Sequence, residues 1–477
     1  MEAIRESNEN EQFKAFPILI SFLIGGFIGL FSETALNIAL SNLIQIFNIT
    51  SAKAQWLTTG YLLTLGTLAP ISGFLIQWFT TRKLFIVSLS FSIIGTLIAA
   101  LAPNFEVLLL ARVIQAIGSG ILLPLMINTI LIIFPLNKRG AAMGIVGLVI
   151  MFAPAISPTI AGLLIEKLNW HWIFWLSLPF LLIALAGGIL FVQNVTTITK
   201  PKIDIVSILL STLGFGGIVF GFSSAGSDGW SNMIVIISLV TGIVALLLFG
   251  VRQLSLEQPM INLKTFKYPM FVIGILMVFI CMMIILSSML LLPLYLQIGL
   301  GLSAFATGLI LLPGGILNGI ISPISGRLFD KYGPKYLVIS GFIIIIVVLL
   351  FFSKITTTSS EGIIILLHTF LMIGIAMVLM PAQTNGLNQL PRQFYPDGTA
   401  IVNTLQQVAG AIGTAIAVTI MSNGQQNYLK RAKDPSDSSV LSDALTAGVQ
   451  NAFIFAAVIA IIGLIIAFFI KFVKTEH

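Results

Sequence analysis

Charge is what this sequence has least of. Only 9% of its 477 residues are Asp, Glu, Lys or Arg, against roughly 25% in a soluble domain, and its mean hydropathy is +1.06. An ordinary soluble fold is excluded. Cysteine is nearly absent too: Cys281 stands alone, which rules out an intramolecular disulfide and a cysteine-cluster metal site. The three histidines, His171, His368 and His477, lie far apart and no H-E-x-x-H occurs, so neither a metal centre nor an enzyme is expected. There is no G-x-x-x-x-G-K-[ST] loop, hence no ATP hydrolysis by that device. The net charge of +7 comes from scattered basic residues without a basic tract. Nucleic acid is not an expected partner.

What the chain has in abundance is apolar runs of about 20 residues, the length that spans a bilayer as a helix. Breaks at polar, Gly/Pro and charged positions give fourteen of them, from 15–44 to 450–471. The even count places both termini on one side. Seventeen of the 24 basic residues then fall on that side and six on the other, with Arg112 alone inside a segment. By the positive-inside rule the termini are cytoplasmic. Merging or dropping one helix scrambles this bias, so twelve helices with re-entrant segments fit less well. The polar, mixed-charge N-terminus and the long run after it predict an uncleaved first helix. Asn423–Gly448 is expected to form a long outer loop, solvated in preference to the alternative of partial order over the exit.

Sixteen of the seventeen acids sit in loops, tails or helix ends, and the exception is Glu33 in "GLFSETALNIALSN". A charge at mid-helix costs roughly 2.5–3.5 kcal/mol on insertion scales. Glu33, Asn37 and Ser41 share one helical face at i, i+4, i+8, as do Arg112, Gln115 and Ser119 on the fourth helix at i, i+3, i+7. Lipid cannot satisfy such stripes, so both must face protein or a wet cavity. Burial favours a neutral carboxyl, whereas water or a cation favours the ion. An acid whose surroundings alternate can therefore load and release protons. The plainer alternative is a glutamate that pins helix packing. Arg112 has a coupling role open to it, and equally that of a cation capping carbonyls or snorkelling outward.

Two loops repeat: "GRLFDKYGPK", Gly326 to Lys335, after the tenth helix, and "GFLIQWFTTRK", Gly73 to Lys83, after the second. Internal repeats of this kind mark many transporters. The implied units are a six-helix bundle over 15–193, two inserted helices over 204–251, and a second six-helix bundle over 269–471. The later loop carries a G-x-x-x-D-[KR]-x-G-x-[KR] pattern through Gly326, Asp330, Lys331, Gly333 and Lys335; in the earlier one Gln77 and Thr80 replace the acid and second glycine. The fourth helix has R-x-x-Q-[GA]-x-G through Arg112, Gln115, Ala116 and Gly118. The fifth has Gly144, Gly147, Pro154, Pro158 and Gly162 of an antiporter pattern, with Ala153 and Ser157 at its usual glycines. The first keeps Thr34, Asn37, Ala39 and Leu40 of a D-x-T-[IV]-[VL]-N-V-A-L-P signature, its acid moved one place to Glu33.

These motifs resemble the major facilitator superfamily, specifically its fourteen-helix drug:proton antiporters, and within it the lincosamide and multidrug exporters of Gram-positive bacteria. The resemblance implies an all-α membrane protein with the major facilitator fold in a bacterial cell membrane. Small amphiphilic substrates and protons would be its partners, with no further cofactor, and a monomer is expected. The two prolines and glycines of the fifth helix allow a bent, closely packed gate. Asp330, with Lys331 and Lys335, is expected to form a charge latch on the cytoplasmic side; the plainer alternative is a positive-inside anchor. Substrate should bind between the bundles near the midplane. Candidate walls are Gln55, Thr58 and Tyr61, then Asn318, Gln383, Asn385, Asn403, Gln406 and Gln407, beside Asn37 and Gln115, with interhelical hydrogen bonding as the equal alternative for most of them. His368 is either a proton relay or a packing histidine. With one intramembrane acid, neutral, zwitterionic or monocationic amphiphiles should be favoured over dications. Export of an endogenous lipid, peptide or metabolite is an alternative, and a non-transporting sensor or channel is one from another class.

Overall fold

The computed structural model describes residues 15–49, 51–196, 198–200, 204–432, 434 and 437–473. Fourteen helices long and apolar enough to cross a membrane run through them. They are α1 Ala15–Phe47, α2 Ser51–Trp78, α3 Thr81–Ala100, α4 Phe105–Ile133, α5 Leu136–Lys167, α6 Trp172–Phe191 and α7 Ile205–Asp228. There follow α8 Met233–Ser255, α9 Pro269–Leu294, α10 Ala304–Tyr332, α11 Pro334–Phe352, α12 Glu361–Asn388, α13 Tyr395–Leu429 and α14 Ser438–Ala467. No strand occurs among the described residues. A bilayer dictates this, because every backbone group must find its partner within the segment.

The helices form two groups of six, α1–α6 and α9–α14, that meet along two seams. At one, α5 lies along α10; at the other, α2 meets α13. Matching α1–α6 onto α9–α14 turns the first seam into the second, the geometry expected of an internal repeat. The α5–α10 seam is built on small residues. A Cβ on Gly144 would stand 2.5 Å from the Ser322 carbonyl, and one on Gly315 would stand 2.0 Å from the Ala155 Cβ. Small side chains let backbones approach where no hydrophobic force draws helices together in lipid.

The inserted pair α7–α8 is a hairpin closed on glycine, with Gly217 against the Ser238 carbonyl and Gly242. α7 lies across the α2–α13 seam. Phe220 stacks on Trp56 of α2 at 5.7 Å, and the Trp230 indole donates to the Thr419 hydroxyl of α13 at 2.6 Å. At the other end Arg252 grips Asp204 with two hydrogen bonds of 2.7 and 2.9 Å. Beside that guanidinium the Asp204 carboxyl falls from its ordinary 3.8 to about 2. A depressed carboxyl stabilises the fold above its unfolded pKa, and the contribution is lost as pH falls toward 2. Asp204→Asn should therefore lower the melting temperature by the same small amount at pH 6 and pH 8, a comparison that thermal unfolding in detergent checks.

Two expectations need correction. The stretch Asn423–Gly448 is mostly helix: α13 continues to Leu429 and α14 starts at Ser438. Asp437 caps α14 by accepting from Ser439 N–H, Asp443 accepts from the Thr357 hydroxyl, and Gln450 donates to the Ile355 carbonyl. Asp443 and Gln450 thus tie α14 to the α11–α12 turn. The second correction concerns the latch. Asp330 accepts from the backbone N–H groups of Gly140 and Ala141 in α5, each at 2.8 Å, not from a lysine. The Lys331 ammonium lies over the Tyr332 ring at 5.0 Å and Lys335 is exposed. Backbone donors are fixed by the helix, so they hold a carboxylate without ordering a flexible side chain. Gly333, at φ 79°, ψ 179°, makes the turn into Pro334 that presents Asp330, and only glycine adopts that backbone readily.

Candidate functional site

The acid inside α1 is held through the backbone around it. Three neighbouring helices grip Gly29–Thr34. From α2, the Tyr61 hydroxyl reaches the Gly29 carbonyl at 3.3 Å and donates to Ser119 at 2.9 Å. From α4, the Arg112 guanidinium donates to the carbonyls of Ser32 at 3.0 Å and Glu33 at 3.5 Å. From α5, Ser157 accepts from the Thr34 hydroxyl at 2.9 Å. Ser157, a departure from the glycine of the family pattern, is thus the residue that ties α5 to α1.

Arg112 is fully buried. It lies 4.1 Å over the Tyr61 ring and donates to Gln115 Oε1 at 2.7 Å, while Gln115 donates to Thr96 at 2.9 Å. The polar stripe of α4 is therefore one connected network. Arg112 caps carbonyls, and the side chain does not snorkel. No ion pair joins it to the Glu33 carboxylate among the described residues. A carbonyl has a second lone pair beyond its helical bond, so Arg112 can hold the Glu33 backbone and leave the carboxylate for other work.

That carboxylate lines a central cavity of about 260 Å³ between the two helix groups. Pro154 and Pro158 of α5 form part of its wall, with Met282, Leu286, Met289 and Leu311 opposite. Among the described residues, Glu33 is the one acid lining it. Asn403, Gln406 and Gln407 of α13 are in the wall, as expected of them. Gln383 stands behind, accepting from Gln406 Nε2 at 3.3 Å. Tyr61 and Gln115 belong to the network around Arg112. Thr58, Asn318 and Asn385 do not line the cavity. Asn318 donates to the Met372 carbonyl at 2.7 Å, and Asn385 holds the C-terminal segment through Lys471 and Val473. The side chains of Asn37 and Gln55 lie outside the described residues.

Ser288, Gln297 and Thr307 line the cavity without having been foreseen, and His368 joins them. Isolated hydroxyls in apolar runs give little signal, because most bond the preceding turn of their own helix. Arg139 was also missed. It donates to Asn388 at 3.1 Å, to the Tyr395 hydroxyl at 2.8 Å and to the Leu131 and Phe134 carbonyls, bridging the α4–α5 and α12–α13 turns. Together with Asp330 it closes the end of the molecule where basic residues are richest. Gly144 and Gly147 pack there against Ser322 and Met380, whereas Gly162 faces open space. At the corresponding place after α2, the Gln77 carbonyl accepts from the Thr199 and Lys200 N–H groups and its side-chain oxygen from the Thr199 hydroxyl.

Comparison with known proteins agrees with this architecture. The family model described as Major Facilitator Superfamily matches residues 22–414. The chain is 68% identical to the lincomycin resistance protein LmrB of Bacillus subtilis (strain 168) over 470 residues, 98% of each chain. It is 62% identical to the protein of that name from Listeria monocytogenes, over 98% of this chain and 100% of that one. Among solved structures it resembles the human organic anion transporter MFSD10 with a TM-score of 0.66 at 14% identity, covering 96% of this chain and 100% of that one. This chain is a membrane-embedded transport protein, not an enzyme, and it belongs to the major facilitator superfamily.

Proposed function

We propose that this chain exports amphiphilic drugs, lincosamides among them, in exchange for protons by alternating access. The observation that carries this reading is the placement of Glu33: a lone carboxylate on the wall of an apolar cavity between two repeated bundles. The resistance named in its 68% identical relative supports the substrate class. The basic end is assigned to the cytoplasm, with both termini there, in a bacterial cell membrane. Closed by Asp330 and Arg139, the described state then faces outward. In that state Glu33 takes a proton from outside. On opening inward it exchanges that proton for substrate, whose amine the carboxylate then holds. A monomer suffices, since both seams lie within one chain, and the proton is the one ion the cycle requires.

The test uses everted vesicles acidified inside and a pH-sensitive dye. Lincomycin added outside should release protons from the lumen, and no release from wild-type vesicles would overturn antiport. A second result is expected from charge. With one acid lining the cavity, a dication leaves one charge uncompensated in apolar surroundings. Monocationic dyes should be transported better than matched dications, and a preference of twofold or more for the dications contradicts this.

A further inference from the structure

The inserted hairpin α7–α8 is pinned to α13 near both ends. At the outer end the Trp230 indole donates to the Thr419 hydroxyl at 2.6 Å. At the basic end the segment after α8 meets α13, where the Asn262 N–H donates to Asp397 Oδ1 at 3.1 Å. Gln253 holds that segment to the hairpin: it accepts from the Ile261 N–H at 3.2 Å and donates to the Ser207 hydroxyl at 2.6 Å. Met260 and Ile261 beside it are buried. Between the two pins, Ile218 and Val219 of α7 pack with Val408 of α13. Asp397 and Thr419 stand 22 residues apart in α13, about 33 Å of helix at 1.5 Å per residue. The pins therefore bracket a bilayer core of about 30 Å.

Contact with the first helix group is of another kind. Phe220 stacks on Trp56 of α2 at 5.7 Å. Side chains there lie against glycine: a Cβ on Gly66 would stand 3.2 Å from a Val219 methyl, and one on Gly216 would stand 3.1 Å from the Thr67 methyl. The first group also holds the approach to α7, through the Thr199 and Lys200 N–H groups at the Gln77 carbonyl. Rings and methyl groups can slide past one another without losing a directional bond. Pulling the hairpin off α13 is different, because Asp397 is only 5% exposed and would lose its Asn262 donor. A buried acid stripped of its donor is heavily penalised.

α13 gains from such a support. Between the pins it contains Gly398, Gly410 and Gly413, and glycine loosens a helix. The same stretch presents Asn403, Gln406 and Gln407 to the cavity. We infer that the inserted hairpin is a splint on α13, which rides with the second helix group, slides over α2, and keeps the cavity amides of α13 in place. The inference rests on alternating access and gives the inserted pair a positioning role in it.

The test measures three spin-label distances at the basic end of the full-length protein. Labels at Lys83→Cys of α3, Val251→Cys of α8 and Tyr336→Cys of α11, all exposed positions, are taken in pairs in a Cys281→Ser background. Opening is produced by Gly326→Val, whose added side chain meets the α5 backbone, and separately by lincomycin. Lys83–Tyr336 and Lys83–Val251 should lengthen together while Val251–Tyr336 stays as it is. A Val251–Tyr336 distance that changes as Lys83–Tyr336 lengthens overturns the splint and leaves alternating access intact. A Lys83–Tyr336 distance that changes under neither condition overturns alternating access, and the splint with it. Trp230→Phe combined with Asp397→Leu removes both pins. In that variant the Val251–Tyr336 distribution should broaden and lincomycin should bind about two- to tenfold more weakly. Tetraphenylphosphonium, a monocation without hydrogen-bonding groups, should bind as it does to wild type and so report a folded protein. A narrow distribution with unchanged lincomycin binding overturns the splint.

Discussion

Glu33→Gln is expected to abolish lincomycin-induced proton release from everted vesicles and to reduce lincomycin resistance in cells to that of a strain lacking the transporter. The substitution is nearly isosteric, and the contacts that hold this stretch of α1 go to its backbone. Arg112 binds the Ser32 and Glu33 carbonyls, and Tyr61 reaches the Gly29 carbonyl. None of these depends on the carboxylate, so the protein should fold and reach the membrane normally. What disappears is the group that can carry a proton or face an amine. A hydrogen bond to a charged partner contributes about 1.5–3 kcal/mol, so binding of a monocation should weaken by about 10- to 100-fold. Glu33→Asp keeps the charge but retracts it by one methylene, and should retain part of the activity. Equal proton release from wild type and Glu33→Gln would move the coupling acid elsewhere and leave Glu33 as a packing residue.

Different parts of the molecule were legible in the sequence to different degrees, for physical reasons. Helix number was legible because a bilayer fixes both length and composition, and the basic residues bias the loops independently of hydropathy. Glu33 and Arg112 stood out because a charge within lipid has few tolerable explanations. The partner of Arg112 could not be read, since it is a pair of backbone carbonyls and every residue has one. The same holds for Asp330, whose acceptor role was evident but whose donors are the main-chain N–H groups of Gly140 and Ala141. Asn403, Gln406 and Gln407 reach the cavity while Asn318 and Asn385 are spent on helix-to-backbone bonds. An amide suits either use, and only the rotation of each helix about its axis decides. For Asn423–Gly448 the polar composition misled, because Asp437 caps α14 and Asp443 braces it against Thr357.

Gly326→Val is expected to hold the basic end of the molecule open and so stop export while substrate still binds. Gly326 and Gly140 meet backbone to backbone, and a Cβ on Gly326 would lie 2.0 Å from the Gly140 carbonyl oxygen. No rotamer change relieves that clash, because the obstructing atom belongs to the main chain of α5. The helices must separate. Asp330 sits one turn beyond Gly326 and makes both of its 2.8 Å bonds to α5 immediately beside this contact, so separation removes them as well. Two bonds to a charged acceptor at roughly 1.5–3 kcal/mol each would shift the balance toward the open form by about 100-fold at the low end of that range and about 10,000-fold at the high end. Asp330→Asn, which keeps the shape and loses the charge, should produce a smaller shift in the same direction. The measurement is a distance between spin labels at Asn137→Cys and Lys331→Cys, which flank one cleft at this end, in a Cys281→Ser background. Wild type should give one short distance and Gly326→Val a longer one, with tetraphenylphosphonium binding retained. An unchanged distance with normal export would mean that the contact of Gly140 with Gly326 merely packs and that the cycle closes this end by other means.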